Sequence, residues 1–139
     1  MGLIPTGQPV TACPDYDGVR FGAADGSAGH AVGHYHQDGN LITAEIAGGS
    51  VRSGRLVGTA DSAGVIDAGY CMILTDGEVV AGRCLSTPSL LADGRILLTE
   101  QWNRLDGSAG TSHIASLAQP TAGDRAQSLE ATSAEGASP

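Results

Sequence analysis

The sequence predicts an all-β protein: about eight antiparallel strands in an up-and-down meander that closes into a small barrel, followed by a disordered tail. Three observations carry this prediction. Turn dipeptides, most of them Asp-Gly, recur roughly every dozen residues along the chain. The segments between them are short and rich in β-branched and aromatic residues. No segment has the apolar periodicity of an amphipathic helix.

Taken in order, residues 1–16 carry Pro5, Pro9 and Pro14 and are expected to run as an extended arm. The barrel is expected over residues 17–117. Its strands are expected around 19–21, 31–36, 41–46, 55–59, 70–74, 78–82, 95–102 and 110–114. The turns between them are expected at Asp25-Gly26, Asp38-Gly39, Gly48-Gly49, Ala63-Gly64, Asp76-Gly77, Asp93-Gly94 and Asp106-Gly107. Asp-Gly suits a two-residue type I′ turn, because both central residues take positive φ. Eight strands joined by tight turns can close on themselves and leave no open edge. After Pro120 the chain is small, polar and without core-forming periodicity, so residues 118–139 are expected to form a disordered tail.

Composition narrows the function classes. The chain has 139 residues, enough for one domain. Fifteen acidic residues against seven basic ones give a formal charge of −8. All seven cations are Arg, with no basic stripe, which argues against nucleic acid or an anionic membrane as partner. No apolar run reaches the roughly 20 residues that span a bilayer. The first residues lack a basic segment followed by a long apolar one, so a cytoplasmic protein is expected. Cys13, Cys71 and Cys84 are odd in number and widely spaced, and read as reduced thiols rather than a disulfide framework or a zinc site.

From Gly33 to Ile114 the chain resembles small bacterial all-β proteins often labelled N-acetylglutamate synthase-like. The resemblance rests on HisTyrHisGlnAspGlyAsnLeuIleThrAlaGluIleAlaGlyGly at 34–49 and on GlySerValArgSerGlyArgLeuValGly at 49–58. It continues in GlyArgCysLeuSerThrPro at 82–88, AspGlyArgIleLeuLeuThrGluGlnTrp at 93–102 and GlySerAlaGlyThrSer at 107–112. The resemblance implies a lipocalin- or calycin-like barrel and favours Tyr35 and Gln37 as inward residues. It implies no activity: an acetyl-CoA-dependent acyltransferase of the common type needs a phosphate-cradling loop leading into a helix, and none is present. The chain departs from the family pattern at Ile46 and Arg104, where aromatics are usual, and at His113, where an apolar residue is usual.

Strand pairing nominates site residues. With Asp106-Gly107 as a two-residue turn, Arg104 faces Ala109, Trp102 faces Thr111 and Glu100 faces His113. Opposed residues share a face. Glu100 and His113 beside the aromatic Trp102 would then form an acid/base pair, and a longer loop would break this register. Around Asp76-Gly77, Tyr70 faces Arg83 and Met72 faces Ala81. The other face holds Val80, Gly82, Cys84 and Ser86. Tyr35, Gln37, Tyr70, Arg83, Ser86, Trp102 and Arg104 are the candidate ligand contacts, and Glu100 and His113 the candidate catalytic pair.

His34 and His36, two apart on a strand, point the same way. Thr43 is expected opposite His34, with Glu45 diagonal to it. Two His and a carboxylate suit a transition metal. The apolar face of the same hairpin carries Tyr35, Ile42, Ala44 and Ile46, which leaves both His exposed or at the rim. No cofactor and no assigned metal ligand are expected, and the residues leave open whether His34, His36 and Glu45 bind a metal.

Three functions fit. The first is a barrel that binds a small molecule, given the little volume that Gly33, Ala44, Gly58 and Gly82 fill. The second is a cofactor-free cyclase, isomerase or lyase of bacterial specialised metabolism, using Glu100 and His113 in the cavity. The third is a structural or protein-interaction module, with a sheet edge making a homodimer. The sequence ranks ligand binding, with or without proton transfer, above a scaffold role.

Overall fold

The computed structural model describes residues 6–117. The expected tail at 118–139 and the first five residues of the arm lie outside them. Nine strands follow in chain order: β1 (Gln8–Pro9), β2 (Arg20–Ala23), β3 (Val32–Asp38), β4 (Leu41–Gly48), β5 (Val51–Ala60), β6 (Ile66–Leu74), β7 (Val79–Leu90), β8 (Ile96–Arg104) and β9 (Ala109–Ser116). Strands β2 to β9 pair with their sequence neighbours, and β2 pairs with β9 to close an eight-stranded antiparallel barrel. The short β1 is extra and pairs with the end of β7.

The loops set which residues point inward. Between β3 and β4, Asp38 pairs with Leu41, so Gly39 and Asn40 form a two-residue turn. In the β6–β7, β7–β8 and β8–β9 hairpins the loop is one residue longer. Leu74 donates its N–H to Glu78, Leu91 to Arg95 and Arg104 to Ser108, while Gly77, Gly94 and Gly107 donate back to the first residue of each set. Each glycine takes φ near +90°. This is a three-residue loop with a bulge, and the glycine supplies its left-handed position. The preceding Asp76, Asp93 or Asp106 accepts the N–H two residues on. Asp-Gly therefore fills the last two places of a three-residue loop, not the centre of a two-residue turn.

That extra residue corrects two registers. Glu100 faces Ser112, Trp102 faces Gly110, and His113 faces Thr99. Likewise Tyr70 faces Gly82, and Arg83 faces Gly69. The side-chain period of a strand is two, so a slip of one residue moves a side chain to the opposite face. The third hairpin slips by two and keeps its faces: Glu45 lies opposite His34, and Thr43 opposite His36.

Inside the barrel, Phe21, Tyr35, Ile42, Ala44, Leu56, Ile66, Ala68 and Leu98 form the buried core. The segment before β2 crosses the end where the β3–β4 and β5–β6 hairpins turn. Tyr16, fully buried, donates its hydroxyl to the Gly64 carbonyl at 2.6 Å. Its N–H goes to Gln37 Oε1 at 2.9 Å. Its ring stands 6.2 Å from that of Phe21, which packs at 4.9 Å on Tyr35. Burial of a Tyr ring with its hydroxyl satisfied stabilises by a few kcal/mol and stops this end of the barrel.

Candidate ligand-binding site

A cavity of about 270 Å³ opens at the other end of the barrel. This is small for a ligand pocket and suits a metabolite-sized occupant. Its walls are mostly apolar: Phe21, Ile46, Leu56, Met72 and Ile114, with the rings of Tyr35, Tyr70 and Trp102. The polar groups are few, chiefly Glu100, Ser112 and Arg104.

Two aromatic walls exist because a glycine faces each of them. Trp102 lies across Gly110, where a Cβ would come within 2.5 Å of the indole. Tyr70 lies across Gly82, where a Cβ would come within 2.9 Å of the Tyr hydroxyl. A larger residue at Gly110 would displace the indole, and one at Gly82 would collide with the Asn103 carbonyl of the neighbouring strand as well as with the Tyr70 hydroxyl. The indole N–H donates to Ser112 Oγ at 2.9 Å, which holds the ring upright.

Glu100 sits within this apolar lining. Ser86, fully buried on the neighbouring strand, donates to its carboxylate across a long 3.5 Å. Burial pushes the carboxyl up to about 7, against the weaker pull of Ser86. Near neutral pH the group is thus shared between a donor and an acceptor form. Burial, reinforced by Glu100, also raises Cys84 to about 11, so its thiol stays protonated and is no nucleophile. Tyr35 is raised for the same reasons and stays neutral.

Arg104 stands at the mouth with its guanidinium 5.0 Å over the Trp102 ring. Among the described residues, its Nε is a buried nitrogen without a hydrogen-bond partner. It makes no ion pair with Glu100 or any other described residue.

The structure thus brings Tyr35, Tyr70, Glu100, Trp102 and Arg104 together around one cavity, with Ser86 behind Glu100. It does not bring His113 there. The β8–β9 register turns His113 to the outer face, so the expected Glu100–His113 pair is not formed. Arg83 is on the outer wall too, where it forms a two-point ion pair with Asp67 at 2.7 and 2.9 Å. Gln37 points to the closed end and ties down Tyr16, with its Nε2 on the Gly39 carbonyl. Ser112, Phe21 and Cys84 were not among the expected contacts. Ser112 would follow from the correct loop length alone. Phe21 and Cys84 carry no local signal for cavity lining.

An eight-stranded up-and-down barrel, stopped at one end and hollow at the other, defines the class: a cup-shaped barrel with room for a small ligand. The avidin-like protein family matches residues 14–117, and the chain belongs to that family. The match starts in the segment that stops the closed end and finishes just past β9. No curated protein and no solved structure matches the chain. The resemblance to proteins labelled N-acetylglutamate synthase-like therefore stands as likeness to an avidin-like barrel.

Proposed function

We propose that the protein binds a small molecule in the barrel cavity, with a hydrogen-bonding head against Glu100 and an acidic or acceptor group at Arg104. The carrying observation is Glu100: a carboxyl placed in an apolar cavity with one long protein contact. Such a group costs stability unless a partner satisfies it. Arg104 Nε repeats the pattern at the mouth. A ligand spanning the two would satisfy both, while the aromatic rings cover its apolar body. A biotin-like molecule, a cyclic polar head on an acid-terminated chain, is one member of that class.

Proton exchange by Glu100 alone is the basis on which a cofactor-free isomerase or cyclase would rest. Among the described residues that line the cavity there is no His and no second carboxylate, because His113 points away. Binding without turnover is the function these contacts support best.

The test uses Trp102, the single Trp of the chain. Its fluorescence is followed while cyclic ureas, lactams and their acid-terminated derivatives, biotin included, are added. The expected result is a saturable change with a dissociation constant below about 100 μM for at least one compound. It is expected to be lost in Glu100→Ala and weakened in Arg104→Gln. A saturable change that neither variant affects would place the ligand elsewhere and overturn the proposal.

A further inference from the structure

The outer wall of the barrel carries a cluster unrelated to the cavity. His34 and His36 project from one face of β3, and Glu45 stands directly opposite His34 on β4. The two imidazole rings lie 4.8 Å apart at 39°. His36 Nε2 is 2.9 Å from Glu45 Oε1. One ligating atom from each of the three residues falls within 4.8 Å of the others. We propose that His34, His36 and Glu45 form a surface site for a borderline divalent transition-metal ion such as Ni²⁺ or Zn²⁺.

The geometry supports this directly. Metal–nitrogen and metal–oxygen bonds of about 2.0–2.2 Å, at angles between square and tetrahedral, put neighbouring donors about 3–3.5 Å apart. His36 and Glu45 already have that separation. His34 needs a side-chain rotation that brings its ligating nitrogen closer by roughly 1–2 Å, which its exposed position permits. The strands supply the rest: the two-residue spacing aligns the imidazoles, and the pairing brings the carboxylate beside them. Rigid strands lower the ordering cost of the site.

Donor type selects the metal. Two imidazoles favour nickel, copper or zinc, and a single carboxylate is too little for calcium or magnesium. The surroundings set the strength. Arg20 lies opposite His34 on β2, and Arg55 opposite Glu45 on β5. Arg55 is partly spent on the Gly54 carbonyl, to which its Nη1 donates at 2.8 Å. Two nearby cations oppose a third and weaken the site. Protein atoms occupy three positions, so the remaining ones are open to water or to a donor from another molecule.

The experiment is calorimetric titration of the full, untagged chain, freed of metal with chelator, with NiCl₂ and with ZnCl₂. One equivalent is expected to bind with a dissociation constant below about 100 μM. His34→Gln and His36→Gln are each expected to weaken it about tenfold or more, and Glu45→Gln by a smaller factor. All three side chains are exposed or half-exposed, so the variants should keep the fold, which circular dichroism checks. His30→Gln and His113→Gln are expected to leave the affinity unchanged. A dissociation constant above about 100 μM for both metals, or a tighter one that neither His34→Gln nor His36→Gln weakens, overturns the site. Trp102 fluorescence with a cavity ligand is expected to be unchanged by His34→Gln, so the two proposals fail separately.

Discussion

The sharpest consequence of the cavity is that Glu100 destabilises the protein above neutral pH. Burial raises its carboxyl from 4.5 to about 7. The folded state then holds the proton more tightly than the unfolded chain does. Its contribution is fully favourable below the unfolded value, is lost progressively between pH 4.5 and about 7, and stays lost above that. A gap of about two and a half pH units is worth ~3 kcal/mol at 1.36 kcal/mol per unit. The open cavity admits water, so this is the upper figure. Glu100→Gln keeps the shape of the protonated acid and removes the titration. The assay is urea unfolding of both proteins from pH 4 to pH 8.5, with the midpoint and slope read at each pH. Near pH 4 the two stabilities are expected to agree within about 1 kcal/mol. By pH 8 the variant is expected to be the more stable by about 2–3 kcal/mol. Asp67 and Asp93, held low by Arg83 and Arg95, titrate in the opposite sense but cancel in the difference. A difference that stays flat across pH 4.5 to 7 would refute the burial of Glu100 and the account of the cavity built on it.

Other substitutions probe other parts of the argument. Trp102→Ala removes a half-buried ring and is expected to cost about 2–4 kcal/mol in urea unfolding, with loss of ligand binding. Full stability in that variant would mean the ring does not pack on Gly110. Tyr16→Phe strips the hydroxyl from the closed end and leaves the Gly64 carbonyl unpaired, at about 1–3 kcal/mol; an unchanged midpoint would deny that hydrogen bond a structural role. Arg83→Ala and His113→Ala change only the outer wall, and are expected to leave titrations of the cavity unaltered. An effect of His113→Ala comparable to that of Glu100→Ala would restore the pair that the register separates.

Local chemistry carried the class of the fold. Short β-branched runs cannot hold a helix together, and Asp and Gly at regular intervals demand turns, so a meander of about eight strands followed from residue types alone. Glu100 and Trp102 were legible as site candidates because residues two apart on a strand share a face, and Tyr35 because it lies on the apolar face of its hairpin. Which candidates meet was another matter. A two-residue loop put Arg83 on the face of Tyr70 and His113 on the face of Glu100, and one further residue in the loop sent both to the outer wall. The choice between a two-residue turn and a three-residue loop with a bulge is worth little energy within the hairpin itself. Closure and core packing of the whole barrel decide it, and no window of sequence contains those contacts.

The same division runs through the rest of the molecule. His34, His36 and Glu45 share a face in either register, because a slip of two residues preserves parity, so that cluster was already visible in the chain. Gln37 could not be placed from its strand, since its role depends on Tyr16 arriving from 21 residues away. Sequence by itself determined what local forces determine: strand, turn, and the alternation of apolar and polar positions. Tertiary structure decided which face closes on the cavity and which end is stopped. It also decided that Glu100 lies in an apolar hollow, because desolvation is a property of everything that surrounds a group and not of its neighbours in the chain.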